Sequence, residues 1–364
     1  MKAYILLANG MAFAGESFGA AGTRVGEVVF NTGMAGYEET LTDPSYYGQI
    51  ITQTYPLVGN YGINGEDAES ARIWAFGYIV REACPAPSNF RCQKTLDAFL
   101  KEQGIIGVCG VDTRRLTRIL RESGVMNGAV TTEYESAEAA LADAALMARI
   151  RAYTVTDAVA SVTTGEAKTY NAGGAPHVAL FDFGYKQNIL RSLIQRGCKV
   201  TVVPAGTTAD EVKALGADGI MLSNGPGDPA ENTAVIENLK AVTHLGLPVF
   251  GICLGHQLTA LAHGAKTEKL KYGHRGVNQP VTDFAKDRTY ITSQNHGYAV
   301  VAGTVDPAVA EVSHVNANDK TVEGIRYKHI PCFTVQFHPE ACGGPRDTGY
   351  LFDEFLAMMQ KGGN

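Results

Sequence analysis

The chain has 364 residues, of which 45% are hydrophobic and 19% charged, and its formal net charge at pH 7 is −6. This length exceeds what one hydrophobic core usually organises, so we expect two domains. The negative charge gives no support for nucleic-acid binding, and no apolar run approaches the roughly 20 residues that a membrane-spanning helix needs.

The cysteine content and the N-terminal stretch indicate the compartment. Seven cysteines, an odd number without a C-x-x-C pair, resemble neither a disulfide framework nor a zinc site. The opening stretch MKAYILLANGMAFAGESFG lacks the long apolar segment and the cleavage site of a signal peptide. We therefore expect a reduced, soluble, cytoplasmic protein.

Residues 1–150 are predicted to form a smaller, β-rich α/β domain. RVGEVVFNTG and GQIITQTYP are apolar, β-branched runs that end in turn residues, which is typical of strands. TLDAFLKEQG and DTRRLTRILRESG have helical periodicity, and the Ala- and Glu-rich stretch 132–148 predicts one surface helix. The small, polar residues 151–175 predict a linker between the domains.

Residues 176–364 alternate between strands and helices with short connections. This alternation predicts an α/β fold with a doubly wound, mostly parallel sheet. Because such sheets bind ligands beyond the carboxyl ends of their strands, the loops DFG, SNGPGDP, GICLG and VQFHPE are the candidate sites. Residues 293–298, SQNHGY, are predicted to form a polar turn between two strands.

Cys253 lies in Gly251-Ile252-Cys253-Leu254-Gly255, the thiol counterpart of the G-x-S-x-G nucleophile elbow. The glycines suit a strained strand-to-helix turn, and a helix beginning at Leu254 would favour a thiolate at Cys253. The same pattern is also compatible with a buried cysteine that acts as a small apolar residue. Both interpretations stay open from this stretch alone.

His338 is the best candidate for an imidazole partner of Cys253. It follows an apolar strand and lies two residues before Glu340, so both side chains can project to the same side of an extended chain. The carboxylate could then orient the imidazole, as in a catalytic triad. His256 and His263 lie on the helix after Cys253, where a position on the helix surface is expected.

The SNGPGDP loop could supply backbone N–H groups to a developing oxyanion through Gly225 and Gly227, together with the amide of Leu254. A tight turn between strand and helix explains the same residues. The sequence contains no P-loop, no G-x-G-x-x-G before a helix and no cluster of residues at metal-ligand spacing, so we expect no metal.

Taken together, GICLGHQ and the distant FHPE resemble the class I (triad) glutamine amidotransferases. The stretch NTGMAGYEETLTDPSYYGQIITQTYPLVGNYGIN, with GVDTRRLTRILRESG and ALFDFGYKQNILRSLIQRG, is similar to the small-subunit family of carbamoyl-phosphate synthetase. The likeness covers almost the whole chain. It implies a glutaminase in which Cys253 is the nucleophile, His338 the general base and acid, and Glu340 its orienting partner, with a γ-glutamyl thioester as the intermediate.

The same resemblance implies which residues hold the substrate L-glutamine. They are Ser45 from the N-terminal domain and Gly225, Gly227, Leu254, Gln257, Asn295, Gly297 and Tyr298 from the C-terminal one, with Leu254 and Gly225 supplying the oxyanion amides.

The resemblance also implies a partner. A large synthetase subunit would use ATP, Mg and bicarbonate, receive the ammonia and make carbamoyl phosphate for arginine or pyrimidine synthesis, and this chain would need no cofactor. We expect the two subunits to form a heterodimer, which can assemble into a higher oligomer. Two alternatives remain: a glutaminase serving another synthase, and a module that binds glutamine without turnover.

Overall fold

A computed structural model of the chain describes residues 1–341 and 343–361. The chain folds into two compact units, the first comprising Met1–Thr156 and the second beginning at Asp157. Within the described residues, none of the helices has both the length and the apolar character that would let it cross a membrane.

The first unit is built around a closed barrel. Its strands are β1 (Lys2–Leu7), β2 (Ala12–Gly19), β3 (Thr23–Asn31), β4 (Gln49–Gln53), β5 (Leu57–Val58), β6 (Gly77–Ile79), β7 (Glu82–Ala83), β8 (Ile106–Cys109) and β9 (Met126–Thr131). Seven of them close the barrel in the order β1-β2-β8-β6-β4-β3-β9, and β5 pairs with β7. Closure leaves no edge strand unpaired in the barrel. The two N-terminal runs predicted as strands, which became β3 and β4, are therefore confirmed.

Five helices accompany this barrel: α1 (Tyr37–Thr42), α2 (Leu96–Glu102), α3 (Thr113–Ser123), α4 (Ala137–Ala142) and α5 (Ala144–Ala152). The single helix predicted at 132–148 is wrong, because α4 and α5 are separate. Asp143 divides them, and its carboxylate accepts hydrogen bonds from the backbone N–H groups of Ala145 and Leu146, both at 2.9 Å. An aspartate that caps a new helix ends the preceding one.

The second unit contains a ten-stranded sheet. Its strands are β10 (Lys168–Tyr170), β11 (His177–Asp182), β12 (Lys199–Pro204), β13 (Gly219–Leu222), β14 (Val249–Ile252), β15 (Thr267–Asp283), β16 (Arg288–Val300), β17 (Ala310–Asn316), β18 (Val322–Tyr327) and β19 (Cys332–Val335). The order is β10-β12-β11-β13-β14-β19-β18-β17-β15-β16, with a parallel core from β12 to β19. The strands beyond this core pair antiparallel.

Helices cover both faces of the parallel core. They are α6 (Ala158–Val162), α7 (Gln187–Gln195), α8 (Ala209–Leu215), α9 (Thr233–Thr243), α10 (Leu254–Ala262) and α11 (Tyr350–Lys361). Along β11, Val178 and Leu180 join an apolar cluster with Phe352 of α11, whereas Phe181 joins another with Leu258 of α10. Alternate residues of a strand face opposite sides, so both faces are buried. This is the doubly wound fold that the sequence predicts.

Two stretches differ in detail from their predicted structure. Residues 151–175, predicted as a linker, contain the end of α5, the helix α6 and the strand β10, which pairs antiparallel with β12.

The turn predicted at 293–298 is wrong, because these residues lie inside β16 and pair with β15. The ladder has register shifts between Lys269 and His274 and between Gly276 and Gln279. Such irregularities let polar and glycine residues remain within a strand.

Candidate active site

Cys253 lies at the junction between β14 and α10. Its backbone has φ 52° and ψ −101°, a region that residues with a side chain rarely occupy. The residue is buried, and its N–H donates to the carbonyl of Val335 at the end of β19, at 2.9 Å. The strand-to-helix turn therefore has the strained backbone of a nucleophile elbow.

The glycines on either side of Cys253 are required by close backbone packing. A Cβ atom at Gly255 would collide with the carbonyl of Leu222, and one at Gly251 would lie 2.8 Å from Cγ2 of Thr334. The N–H of Gly255 also donates to the carbonyl of Ser223 at 2.9 Å. The turn after β14 is thus pressed against the ends of both neighbouring strands.

The Cys253 sulfur is surrounded by polar groups from β16 and from the residues after β19. Its Sγ lies 3.7 Å from the carbonyl oxygen of Asn295, to which the thiol can donate, and 3.6 Å from Nε2 of Gln336. Nε2 of Gln257 donates to Oε1 of Gln336 at 2.9 Å and to the carbonyl of Tyr298 at 2.7 Å. Asn295, Gln257 and Tyr298 therefore belong to one group around Cys253.

His338 and Glu340 form a buried pair three and five residues after β19 ends. The Nδ1 of His338 lies 2.7 Å from Oε1 of Glu340, and Nζ of Lys186 lies 3.3 Å from the same oxygen. Burial acts to raise the pKa of Glu340, but the charges of His338 and Lys186 outweigh it and lower this pKa to about 2. Glu340 is therefore a carboxylate at neutral pH.

The other ring nitrogen of His338 is available. Its Nε2 is buried and has no hydrogen-bond partner among the described residues. The backbone N–H of His338 donates to the carbonyl of Ser293 at 2.9 Å, two residues along β16 from Asn295, whose carbonyl lies beside the Cys253 sulfur. The backbone N–H of His338 and the sulfur of Cys253 thus contact two carbonyl groups of β16 that are two residues apart and point to the same side of the strand.

Gly225 and Gly227 have different surroundings. A Cβ atom at Gly225 would lie 2.7 Å from Cδ2 of Leu254, so Gly225 packs directly against the first residue of α10. Gly227 has φ 87°, and a Cβ atom there would lie 2.7 Å from that of Ala158. The structure therefore brings Gly225 beside Leu254 and places Gly227 against α6.

The remaining predicted residues are Gly297 and Ser45. Gly297 is on β16, and a Cβ atom there would come within 3.2 Å of Nη2 of Arg275 on β15. Gly297 therefore lies against the Arg275 side chain. Ser45 belongs to the first unit, in a 3-10 turn at Pro44–Tyr46 where its N–H donates to Oδ1 of Asp43. Its contact with substrate stays a prediction.

The position predicted for His256 is wrong. His256 is fully buried, and its Nδ1 lies 2.8 Å from Oγ1 of Thr334. Burial, with a contribution from His314, lowers the pKa of His256 to about 3, so the ring is neutral. His256 is buried because its ring lies on the face of α10 that packs against the sheet, and not on a face that is in contact with solvent. His263, near the end of the helix, is only half-buried.

Three potential metal ligands that are distant in sequence meet on the antiparallel side of the sheet: His274, His296 and Glu323. Nε2 of His274 lies 2.8 Å from a carboxylate oxygen of Asp319, and Nδ1 lies 3.6 Å from one of Glu323. Burial lowers the pKa of His274, but the two carboxylates outweigh it and the net shift is upward. His274 therefore lies between the carboxyl groups of Asp319 and Glu323.

Sequence reasoning missed two residues of the site, Lys186 and Gln336. Lys186 follows the DFG loop, its N–H donates to Oδ1 of Asn224 at 3.0 Å, and its side chain is 9% exposed. Gln336 lies within the VQFHPE loop itself and is fully buried. Gln336 belongs to a loop selected from its place after a parallel strand, and Lys186 lies two residues beyond another, so a search of these loops and their flanking residues for charged and amide side chains would have found both.

Comparison with known proteins gives matches in both units. The family model described as carbamoyl-phosphate synthase small chain, CPSase domain, matches residues 5–130, and glutamine amidotransferase class-I matches residues 179–358. The carbamoyl phosphate synthase small chain of Clostridium perfringens is 50% identical over 356 residues, covering 98% of this chain and 99% of the relative. That of Chlorobaculum tepidum is 51% identical over 364 residues, covering 99% of this chain and 98% of the relative.

The close packing at the elbow predicts that Gly255→Ala destabilises the protein. Because the new Cβ atom would meet the Leu222 carbonyl, we expect the free energy of unfolding to fall by about 2 kcal/mol. Gly206→Ala is the control, since a Cβ atom there meets nothing within 4 Å. Urea denaturation followed by circular dichroism measures both, and equal stability of the two variants would contradict the packing described here.

The low pKa of Glu340 predicts a pH-dependent contribution to stability. Its folded pKa of about 2 lies below the ordinary value of 4.5, so the contribution is complete above pH 4.5 and is lost as the pH falls towards 2. The difference in unfolding free energy between wild type and Glu340→Gln should therefore decrease as the pH falls from 4.5 to 2. We expect this decrease to reach up to about 3 kcal/mol. A difference that stays constant with pH, measured by urea denaturation, would be contrary to this assignment.

Proposed function

Because the chain belongs to the carbamoyl-phosphate synthase small-chain family, we propose that it hydrolyses L-glutamine through a catalytic triad of Cys253, His338 and Glu340. The chain is the glutamine-hydrolysing subunit of that enzyme, with a glutamine amidotransferase region in its second unit. The observation that carries the triad is the buried His338–Glu340 pair, at 2.7 Å, whose Nε2 has no hydrogen-bond partner among the described residues. His338 bonds to the same strand, β16, that the sulfur of the strained Cys253 elbow contacts.

The proposed reaction has two halves. The Cys253 sulfur, whose proton passes to Nε2 of His338, attacks the side-chain amide carbon of glutamine and forms a tetrahedral intermediate. His338 returns the proton to the departing nitrogen, so the carbon–nitrogen bond breaks, ammonia leaves and a γ-glutamyl thioester remains. His338 then takes a proton from the water that attacks the thioester and passes it to the sulfur as the carbon–sulfur bond breaks, so glutamate is released and the Cys253 thiol is regenerated.

Glu340 and Lys186 give His338 its orientation in this proposal. A carboxylate on Nδ1 fixes the tautomer that presents Nε2 to the sulfur, and it stabilises the imidazolium formed during attack. Lys186 shares the same oxygen of Glu340, which keeps the carboxylate ionised although it is buried. The pair therefore acts as one oriented base.

The oxyanion of the tetrahedral intermediate would be held by the amides of Leu254 and Gly225. Leu254 is the first residue of α10, where backbone N–H groups have no acceptor within the helix. The close packing of Gly225 against Leu254 supports a pair of donors that face one point. Fixed donors of this kind stabilise charge that develops only during the reaction.

The set of residues that we propose to hold glutamine is the one that the family resemblance implies. They are Ser45, Gly225, Gly227, Leu254, Gln257, Asn295, Gly297 and Tyr298. The hydrogen bonds that join Gln257, Tyr298 and Asn295 to the surroundings of Cys253 support the C-terminal members of this set.

As a small chain of carbamoyl phosphate synthase, the protein works with a large subunit. We propose that this partner supplies the sites for ATP, Mg and bicarbonate and receives ammonia before water protonates it. Carbamoyl phosphate for arginine or pyrimidine synthesis, a cytoplasmic location, and a heterodimer that can assemble further are parts of the same proposal. A glutaminase for another synthase is disfavoured by the small-chain match across residues 5–130.

The triad predicts that Cys253→Ser separates two activities of the complex. Synthesis from glutamine should fall by at least about 1,000-fold, because the thiolate nucleophile is lost, whereas synthesis from added ammonia should persist. Cys198→Ser is the control, because Cys198 is buried directly before β12 begins, at the opposite end of the parallel strands from the elbow. Equal loss of both activities would instead assign Cys253 a role in structure or in subunit docking.

Selective labelling tests whether glutamine reaches Cys253. A chloroketone analogue of glutamine should modify Cys253 in preference to the other six cysteines, because the site positions the analogue against an activated sulfur. Peptide mass spectrometry locates the adduct. Labelling that is spread among the cysteines, and that glutamine does not suppress, would contradict a glutamine site at the elbow. Labelling without release of glutamate by the complex would favour a module that binds glutamine without turnover.

A further inference from the structure

Gln336 lies between the sulfur of Cys253 and the side chain of Gln257. It directly follows β19, is fully buried, and its backbone N–H donates to the carbonyl of Glu323 at 2.9 Å. Its amide oxygen accepts from Gln257, and its amide nitrogen lies 3.6 Å from Cys253 Sγ. A sulfur atom is larger than oxygen, so this separation is an ordinary length for an N–H donor to sulfur.

The direction of these hydrogen bonds is set by one backbone carbonyl. The oxygen of Tyr298 can only accept, so Gln257 must turn its Nε2 towards it, at 2.7 Å. The second hydrogen of that nitrogen then points at Gln336, at 2.9 Å, which must present its oxygen. Gln336 is thereby left with its amide nitrogen facing the sulfur, as a donor.

An acceptor and a donor consequently lie beside the sulfur. As a thiol, Cys253 can donate its hydrogen to the carbonyl of Asn295 at 3.7 Å. As a thiolate it has no hydrogen to give, and the amide of Gln336 offers it one. A hydrogen bond to an ionised acceptor is roughly twice as strong as one between neutral groups, so the Gln336 contact favours the thiolate.

We propose that Gln336 is a positioning residue that holds the nucleophile of Cys253 as a thiolate and fixes the amide orientation of Gln257. This inference rests on the proposed glutaminase function. A series of hydrogen bonds connects the residues assigned to substrate binding with the nucleophile, in the order Tyr298, Gln257, Gln336 and Cys253. Because both hydrogens of Gln257 Nε2 are engaged, its Oε1 is the group left for a donor of the substrate, such as the α-ammonium of glutamine.

A purely structural role for Gln336 makes a different prediction. A buried amide whose hydrogen bonds only satisfy its own polar atoms affects stability when it is replaced, and it leaves the chemistry of the neighbouring sulfur unchanged. The ionisation of Cys253, measured without substrate, therefore distinguishes the two roles.

The experiment is the pH dependence of Cys253 alkylation by iodoacetamide in the full chain, without glutamine. Gln336→Met removes the donor, and Gln336→Glu keeps the shape but places a carboxylate oxygen against the sulfur. We expect the midpoint of alkylation to rise by about one pH unit in Gln336→Met and further in Gln336→Glu. In the complex, both variants should lower kcat for glutamine-dependent synthesis and leave ammonia-dependent synthesis unchanged.

Thr334→Val is the matched control, because Thr334 is fully buried two residues earlier and its hydroxyl bonds to His256 rather than to the sulfur. Its alkylation midpoint should equal that of wild type. Alkylation curves of folded Gln336→Met and Gln336→Glu that superimpose on the wild-type curve would overturn the proposal. A wild-type complex without glutaminase activity would overturn the proposed function instead, and the alkylation midpoints would still be comparable.

A measurement on the wild-type side chain covers the case in which both variants fail to fold. In protein labelled with ¹⁵N-glutamine, one side-chain amide should titrate with the same midpoint as the alkylation of Cys253, and this titration should vanish in Cys253→Ser. The absence of such a resonance in wild type would equally overturn the proposal.

Discussion

The backbone conformation of Cys253 is the constraint on which the site depends. A φ of 52° at a residue with a side chain is unfavourable by about 1–3 kcal/mol, so neighbouring contacts must hold it. They come from the strands on both sides: Leu222 and Ser223 after β13, and Val335 at the end of β19. The parallel core thus stabilises a turn that directs one sulfur out of the sheet and towards β16.

The charges of the site follow from the same arrangement. The residues after β11 and β19 bring Lys186 to Glu340, and the charges of His338 and Lys186 lower the pKa of that carboxyl group although burial acts to raise it. An ionised Glu340 in turn holds one nitrogen of His338 and leaves the other available. The proposed base, His338, and the proposed nucleophile, Cys253, therefore both depend on loops that emerge from one edge of the sheet.

The sequence predicted the location of this site better than its details. GICLG and VQFHPE could be placed at the ends of parallel strands because apolar runs and glycines have local signatures. The contact between Lys186 and Glu340 could not be predicted, because it requires knowing that the residues after β11 and after β19 meet although β13 and β14 lie between these strands. For the same reason 293–298 was predicted as a turn, although pairing with β15 keeps it extended.

The central claim is that Cys253 carries the acyl group of glutamine during turnover. Its most direct test is to mix the complex with glutamine, quench with acid within one turnover, and measure the intact mass and the peptides of this chain. We expect a γ-glutamyl adduct on the peptide that contains Cys253. Glutamine hydrolysis with no adduct there, or with the adduct on another residue, would contradict it.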